Sequence, residues 1–325
     1  MSVHLNPPAP LVDLSIVLSC YFEEQSIMEF HTRLSTTLES MGRSYEIFFV
    51  NDGGDDGTFE VLKTIFAKDP HVTAIVDLMK NTGQSNAKTP SVMMARGKAL
   101  VLIDTDLQLD PEQLPDLVAK YDEGYDVVSG YRVDRRDSLL RTIPSRLANV
   151  IMRRASKSDI RDFGCTFKLY NAQLVQAFEF GPFKPWRSVP VIAQAKRIAE
   201  VPVRHHARRF GKSGWTFRKL FAYNTENIVN LSDKPFQILA ALCFALTLLF
   251  AGRLASEFFF SYAILPRVTN GLLLNAIMIG SLASISVLAV IGEFVVRNFL
   301  MMQGRPAFVV REIQRRDPAN AGDPS

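Results

Sequence analysis

Residues 100–108 constrain the fold and the chemistry of this chain more than any other stretch. Four apolar residues in a row lead directly into Asp104-Thr105-Asp106, and Gln108 follows. An unbroken apolar run is typical of a strand that is buried on both faces of a parallel sheet. Because side chains alternate along an extended chain, Asp104, Asp106 and Gln108 are predicted to lie on one side, at the carboxyl end of this strand.

These three side chains predict a metal and ligand site. Carboxylate and amide oxygens are hard ligands that suit Mg²⁺ or Mn²⁺ shared with the phosphates of a substrate. The carboxyl end of an open α/β sheet is also where ligands usually bind. The alternative is an acidic turn that only ends a strand, and the pattern taken alone leaves both interpretations open.

Strand and helix patterns alternate through the first part of the chain. Strands are predicted at residues 14–19, 45–50, 72–78 and 126–131, with the stretch described above as the fourth of five. Helical patterns lie between them, at residues 23–41, 58–67 and 110–123, and a further one begins at Gln84. This alternation predicts an α/β fold, a doubly wound and mostly parallel sheet.

The composition changes sharply near residue 235. Residues 236–252 and 271–291 are almost wholly apolar, and a helix of about 20 apolar residues spans a bilayer core. The alternative is a pair of buried helices in a soluble domain. Lys and Arg residues flank the outer ends of the pair. Arg253 and Glu257 would lie near the far interface of the first helix, and the loop that follows offers only Arg267. The positive-inside rule therefore predicts that the N-terminal domain and the C-terminal tail are both cytoplasmic.

Charge and cysteine content narrow the class of protein further. The net charge of +4 over 325 residues does not indicate a nucleic-acid binder. The three cysteines lack zinc-ligand spacing, which favours a reduced intracellular setting.

Two basic amphipathic stretches, residues 138–156 and 215–231, suit helices that lie in the lipid headgroup region. The alternative for each stretch is an ordinary surface helix.

Several motifs occur in one order: Asp104-Thr105-Asp106-Leu107-Gln108, Tyr121-Asp122-Glu123-Gly124-Tyr125-Asp126-Val127-Val128, Asp162-Phe163-Gly164-Cys165, Glu200-Val201-Pro202-Val203 and Gly292-Glu293-Phe294. With them the chain resembles the polyprenyl-phosphate glycosyltransferases of glycosyltransferase family 2. That group includes undecaprenyl-phosphate formamido-arabinose transferases, which it resembles most, undecaprenyl-phosphate glucosyltransferases and dolichyl-phosphate mannose synthases. The resemblance runs from about Leu14 to Val310.

The resemblance implies a GT-A nucleotide-diphosphosugar domain, and it assigns roles to individual residues. The resemblance assigns the binding of Mg²⁺ or Mn²⁺ to Asp104, Asp106 and Gln108. It assigns catalysis to Asp104, Asp106 and Asp162. It assigns binding of the donor, a nucleotide diphosphate sugar, to these residues: Glu23, Asn51, Asp52, Asn81, Gln84, Asp104, Arg208, Lys212 and Ser213. It assigns binding of the acceptor phosphate to Arg132, Arg141 and Ser145.

The implied organisation has six parts. They are a flexible N-terminus (1–10), a cytoplasmic GT-A domain (11–212), a juxtamembrane amphipathic segment (213–234), transmembrane helices at 235–260 and 270–299, and a cytoplasmic tail (300–325). The expected protein is a multi-pass enzyme of the inner, cytoplasmic membrane. It would move a sugar, with inversion, from a nucleotide diphosphate sugar to polyprenyl phosphate, and a UDP-sugar is the favoured donor, with undecaprenyl phosphate the favoured acceptor. The bacterial branch of the family also implies a homotetramer.

Two other functions stay open at this point. A processive polysaccharide synthase would carry a Gln-x-x-Arg-Trp motif and more membrane helices, and the nearest sequence here is Lys184-Pro185-Trp186-Arg187. A catalytically impaired, membrane-tethered scaffold that binds nucleotide sugar or lipid phosphate is the second. The chain departs from the family at Cys20, Lys88 and Lys98. It departs also at Lys212, because the family lysine usually stands two positions later, where this chain has Gly214.

Overall fold

The computed structural model describes residues 11–133, 153, 158–207, 245, 270–302 and 304–316. The chain divides into two compact units, Met1–Leu231 with Pro306–Ser325, and Ser232–Arg305. Several predicted segments lie outside the described residues: the N-terminus at 1–10, most of the amphipathic stretch at 138–156, the stretch at 215–231, the first membrane helix at 235–260 apart from residue 245, and residues 317–325.

The first unit contains an eight-stranded sheet with the order β7-β5-β6-β4-β1-β2-β3-β8. Its strands are β1 Val12–Cys20, β2 Tyr45–Asn51, β3 Val72–Leu78, β4 Gly97–Leu102, β5 Val127–Val133, β6 Lys168–Asn171, β7 Ile198–Arg204 and β8 Val310–Arg315. Its helices are α1 Ile27–Ser40, α2 Thr58–Lys68, α3 Gln84–Met94, α4 Leu114–Asp122, preceded by a 3₁₀ turn at Pro111–Gln113, α5 Ala172–Gln176 and α6 Ser188–Gln194.

The centre of the sheet is parallel, as the sequence predicted. Strand β1 pairs in parallel with β2 and with β4, and β2 pairs in parallel with β3. All seven residues of β2 are buried, because helices cover both faces of a sheet of this kind and its strands are apolar on both sides. Parallel strands end at a common edge, so the carboxyl ends of β1, β2 and β4 open on the same side of the sheet.

The outer strands make the sheet mixed, which corrects the expectation of a mostly parallel arrangement. Strand β6 lies between β4 and β5 and is antiparallel to both. Strand β8 pairs antiparallel with β3. The sequence analysis did not predict strands β6, β7 and β8. Strand β6 was missed because it has only four residues, and β8 was missed because it lies in the segment expected to be a tail.

The second unit contains helix α7, Asn270–Met302, which includes the predicted second membrane helix at 270–299. Among the residues that the structure describes, no helix has both the length and the hydropathy of a membrane span. The two predicted membrane helices are therefore not confirmed. Several large apolar side chains of α7 are exposed: Leu273, Ile277, Ile279, Ile285, Leu288, Ile291, Phe294, Val295 and Phe299.

A close approach of β4 to β1 fixes the identity of Gly97. A Cβ atom at this position would lie 2.5 Å from the backbone nitrogen of Ser15 and 2.8 Å from the carbonyl carbon of Leu14. The N–H of Gly97 donates to Ser15 Oγ, which in turn donates to the buried carboxylate of Glu46. Burial raises the pKa of Glu46, and this local network satisfies the carboxylate.

Replacing Gly97 by alanine is expected to lower the free energy of unfolding by about 1–3 kcal/mol, because the added methyl overpacks a site bounded by backbone atoms. Denaturant unfolding followed by circular dichroism measures the change. Gly181→Ala is the matched control, since a Cβ there meets nothing within 4 Å. Equal stability of the two variants would contradict this account of the β1–β4 contact.

Candidate functional site

The Asp-x-Asp segment lies in a loop at the carboxyl end of β4. The strand ends at Leu102, and Leu107 has a backbone φ of 58°, in the left-handed region that a leucine rarely adopts. Asp104, Asp106 and Gln108 line one cleft. The prediction that these side chains converge agrees with the structure, but the predicted reason was wrong, because a turn and not strand alternation brings them together.

Hydrogen bonds to β1 and to the segment that follows β7 hold this loop. Thr105 donates through its hydroxyl to the carbonyl of Ser19 on β1, 3.3 Å away. On the other side, the N–H of His206 donates to the carbonyl of Gln108 at 2.8 Å, and the Gln108 side chain donates back to the carbonyl of His206. The side chain of Leu107 is buried, which anchors the turn. The cleft therefore includes the segment that follows β7, and His205 lines it.

An ion-pair network supports the next residues of the loop. Asp110 accepts from Arg33 on α1 at 2.8 Å and lies 2.9 Å from His206 Nε2. Arg33 also binds Glu112 at 2.7 Å. Burial pushes the pKa of Asp110 upward, but hydrogen bonds from His206 and Arg33 outweigh that effect and lower it. The network ties α1 and the end of β7 to the loop that carries the carboxylates.

The opposite wall of the cleft carries a paired arginine. Arg132, near the end of β5, donates to both carboxylate oxygens of Asp162, at 2.7 Å from Nε and 2.9 Å from Nη2. Asp162 is buried, and a two-point contact of this kind fixes the plane of the guanidinium. Gly164 lies against the same group, since a Cβ there would come within 3.0 Å of Arg132 Nη2. Arg132 lines the cleft together with Asp104 and Asp106.

Two buried lysines accompany these charges. The ammonium of Lys88, on α3, lies 3.3 Å from Asp104 Oδ1. Lys168, on β6, donates to the backbone carbonyls of Phe163 and Cys165, and burial lowers the pKa of its ammonium. Sequence reasoning missed Lys168. The available signal was a lysine at the start of the short segment Lys168–Asn171, three positions after the last residue of the Asp162-Phe163-Gly164-Cys165 motif.

The predicted donor side of the site, Asn51 and Asp52 with the loop of residues 81–83, lies at the end of β2. The buried carboxylate of Asp52 accepts four hydrogen bonds, from the N–H and hydroxyl of Thr82, the N–H of Gly83 and the side chain of Asn81. Burial raises the pKa of Asp52, against the lowering effect of the bonds from Thr82 and Gly83. Gly53 has a φ of 66°, and a Cβ there would lie 2.2 Å from the backbone of Lys80. Asp52 therefore holds the loop after β3 in place.

Asn51 is arranged differently. Its side-chain nitrogen donates to Asp77 at 2.8 Å and to the carbonyl of Gly54, while its buried Oδ1 has no hydrogen-bond partner among the described residues. Asp77 also accepts from Arg311 on β8, at 3.1 Å. A hydrogen-bonded chain thus links the last strand of the sheet to Asn51. Sequence reasoning missed both Asp77 and Arg311.

The other predicted donor residues lie near this edge or outside the described residues. The N–H of Glu23 donates to Thr58 Oγ1 at 2.9 Å, and its carboxylate accepts from Ser26. Gln84 is the exposed first residue of α3. The predicted site residues outside the described part of the chain are Arg141, Ser145, Arg208, Lys212 and Ser213.

The carboxylates of the cleft fit a metal that is shared with a substrate. No group of three or more His, Cys, Asp or Glu side chains is placed to hold an ion by itself in the part of the chain that the structure describes. Two carboxylates and one amide oxygen on a single loop match the way Mg²⁺ is bound by one or two carboxylates together with substrate phosphates. Asp104 and Asp106 would hold such an ion, with Gln108 beside them.

Solved structures resemble this chain in their fold. S. aureus TarS 1–349 in complex with UDP-GlcNAc is 18% identical over 66% of this chain and 65% of its own length, just under two thirds, with a TM-score of 0.46. Glucosyl-3-phosphoglycerate synthase from Mycobacterium tuberculosis in complex with Mn²⁺ and UDP-glucose is 18% identical over 66% of this chain and 76% of that chain, with a TM-score of 0.48. A mycobacterial protein is 17% identical over 67% of this chain and 73% of that chain, with a TM-score of 0.50.

Mg²⁺ or Mn²⁺ stays the predicted ion for Asp104, Asp106 and Gln108, because both ions suit hard oxygen ligands. The mixed α/β sheet fits the expected GT-A fold. The family description "Glycosyl transferase family 2" matches residues 15–178, which is just over half of the chain and includes Asp52, the Asp-x-Asp loop, Arg132 and Asp162. The protein therefore belongs to glycosyltransferase family 2.

Proposed function

We propose that this protein transfers a sugar from a nucleoside diphosphate sugar to a polyprenyl phosphate. A UDP-sugar is the favoured donor, undecaprenyl phosphate is the favoured acceptor, and the product would serve cell-envelope glycan synthesis or lipid A modification. The observation that carries the proposal is the cleft itself, in which Asp104 and Asp106 share one lining with Arg132. It offers metal-binding oxygens for a diphosphate and a guanidinium for a second, separate phosphate.

The donor would bind across the ends of β2 and β4. Asn51 Oδ1 is a buried acceptor without a partner among the described residues, and an imide N–H of uracil or guanine is a donor of the matching kind. Asp52 holds the loop of residues 81–83 through four hydrogen bonds, so it fixes the loop beside which the nucleoside would bind. Asp104 and Asp106 lie farther along the same edge, where the diphosphate would follow the nucleoside.

The acceptor phosphate would bind at Arg132. Its guanidinium is already oriented by Asp162, so little conformational freedom is lost when a phosphate arrives. The predicted acceptor residues Arg141 and Ser145 would complete this subsite. Asp162 is thus assigned as a positioning residue that acts through Arg132.

The reaction exchanges one bond for another at the anomeric carbon. A phosphate oxygen of the lipid attacks from the side opposite the diphosphate, the new carbon–oxygen bond forms, and the old one breaks with inversion. The electron pair leaves with the nucleoside diphosphate, whose growing charge a divalent metal neutralises when bound. Because the lipid phosphate is already anionic at neutral pH, the protein needs no strong general base.

Membrane attachment is part of the proposal, because the acceptor is a lipid. The apolar runs at residues 236–252 and 271–291 support it, as do the exposed apolar side chains of α7. Basic residues at the outer ends of the runs support an orientation in the inner membrane with the catalytic domain and the C-terminal segment on the cytoplasmic side.

Asp106→Asn is expected to abolish metal-dependent transfer of radiolabelled sugar to undecaprenyl phosphate, assayed with a panel of UDP- and GDP-sugars in detergent. Loss of one metal-binding carboxylate should lower kcat by about 100-fold or more. EDTA should have the same effect on the wild-type protein. Asp116→Asn is the control, since Asp116 is exposed on α4.

Two results would contradict this proposal in different ways. Transfer that persists in EDTA would exclude the metal. Binding of nucleotide sugar and lipid by folded protein, with no transfer from any donor, would favour the scaffold over the enzyme.

Asp162→Asn is expected to raise the KM for undecaprenyl phosphate by about tenfold, because one charge-assisted contact to Arg132 is lost. The KM for the donor should change less. Steady-state kinetics with each substrate varied separately gives both values, and Asp159→Asn, at an exposed position, is the control. An equal rise in both KM values would indicate a general structural role for Asp162.

The wild-type protein is expected to stay in the membrane pellet after washing with high salt and with alkaline carbonate, because apolar burial in lipid does not depend on ionic strength. Immunoblotting of pellet and supernatant measures the distribution. Release by high salt alone would indicate electrostatic association at the surface and contradict a spanning anchor.

A further inference from the structure

Asp104, which lines the cleft, forms an ion pair with Lys88. Lys88 is buried on α3, and its side chain is 6% exposed. Its ammonium lies 3.3 Å from Asp104 Oδ1. A buried ammonium is costly unless it is paired, so the contact with Asp104 stabilises the charge of Lys88.

Asp104 therefore has two competing partners if the proposed function is correct. The carboxylate that would bind a divalent metal is the one that Lys88 contacts. A metal ion on Asp104 would place like charges close together in a poorly solvated site, where charge repulsion is strong. Binding of the metal alone would also deprive the buried ammonium of its contact with Asp104.

A nucleoside diphosphate removes this conflict. The ammonium of Lys88 has three N–H donors, and a phosphate oxygen can accept from it in place of Asp104. The diphosphate also supplies further ligands to the metal. Metal and diphosphate arriving together would thus satisfy Asp104 and Lys88 at the same time.

We infer that Lys88 couples metal binding to donor binding. Its contact with Asp104 weakens binding of the metal alone, and Lys88 turns to the diphosphate when metal and donor bind together. This inference rests on the proposed function, and it adds a residue that makes the two ligands bind cooperatively. Because binding coupling is reciprocal, the metal strengthens donor binding by the same factor.

The test is Lys88→Met, which removes the charge and keeps an unbranched side chain that is one atom shorter. Mn²⁺ binding to the purified full-length protein is measured by titration with electron paramagnetic resonance detection, with and without UDP. The variant should bind Mn²⁺ alone about tenfold more tightly than the wild type, and the factor by which UDP strengthens Mn²⁺ binding should fall about tenfold.

Two further variants control for charge and for folding. Lys88→Arg keeps the positive charge and should retain the weak binding of Mn²⁺ alone. Lys98→Met removes an ammonium that pairs with Asp13 at 2.8 Å on the surface, and it should behave like the wild type. Thermal unfolding of each variant shows that the binding is measured on folded protein.

The possible failures are distinguishable. If the wild type binds Mn²⁺ and UDP and the Lys88→Met variant shows the same Mn²⁺ affinity and the same coupling, the inference is wrong and the proposed function stands. If folded wild type binds neither Mn²⁺ nor UDP, the proposed function is wrong and the inference falls with it.

Discussion

The parallel pairing of β1 with β2 and with β4 is the constraint on which the site depends. It brings the ends of three strands to one edge, although Asp52 and Asp104 are far apart in sequence. Hydrogen bonds then fix the loops that follow β2 and β4, through Asp52 in the first and Thr105 in the second. The donor side and the carboxylate loop are therefore neighbours because of the backbone ladder, before any side chain is considered.

Charge balance is the second constraint, and it operates inside the cleft. Asp104 pairs with Lys88, and Asp162 pairs with Arg132. Buried charges are tolerated only when they are paired and hydrogen-bonded. A divalent cation and a dianionic diphosphate together add no net charge, so their joint binding preserves this balance, whereas either one alone disturbs it.

The sequence predicted the central strands because their signals are local. The buried run before Asp104 and the apolar segment Tyr45–Asn51 predict strands without any knowledge of their neighbours. Local sequence signals could not predict strand β6 or the end of β7, because these strands form through pairing with strands that are distant in the chain. The turn at Leu107 was missed for a similar reason: its positive φ is stabilised by burial of the side chain, and no glycine marks it.

The two neighbouring residues at the end of β2 illustrate how much of a site depends on distant sequence. A sequence pattern treats Asn51 and Asp52 as one acidic, glycine-rich loop. In the structure Asp52 is fully occupied by the loop after β3, and Asn51 keeps a buried acceptor without a partner among the described residues. The position of Asn51 depends on Asp77 and, through it, on Arg311. Arg311 follows helix α7 in the chain, so the order of the donor side depends on a strand that forms only when the end of the chain returns to the sheet. Local sequence around Asn51 contains no trace of that dependence, because the strand that supplies it is brought there by the fold alone.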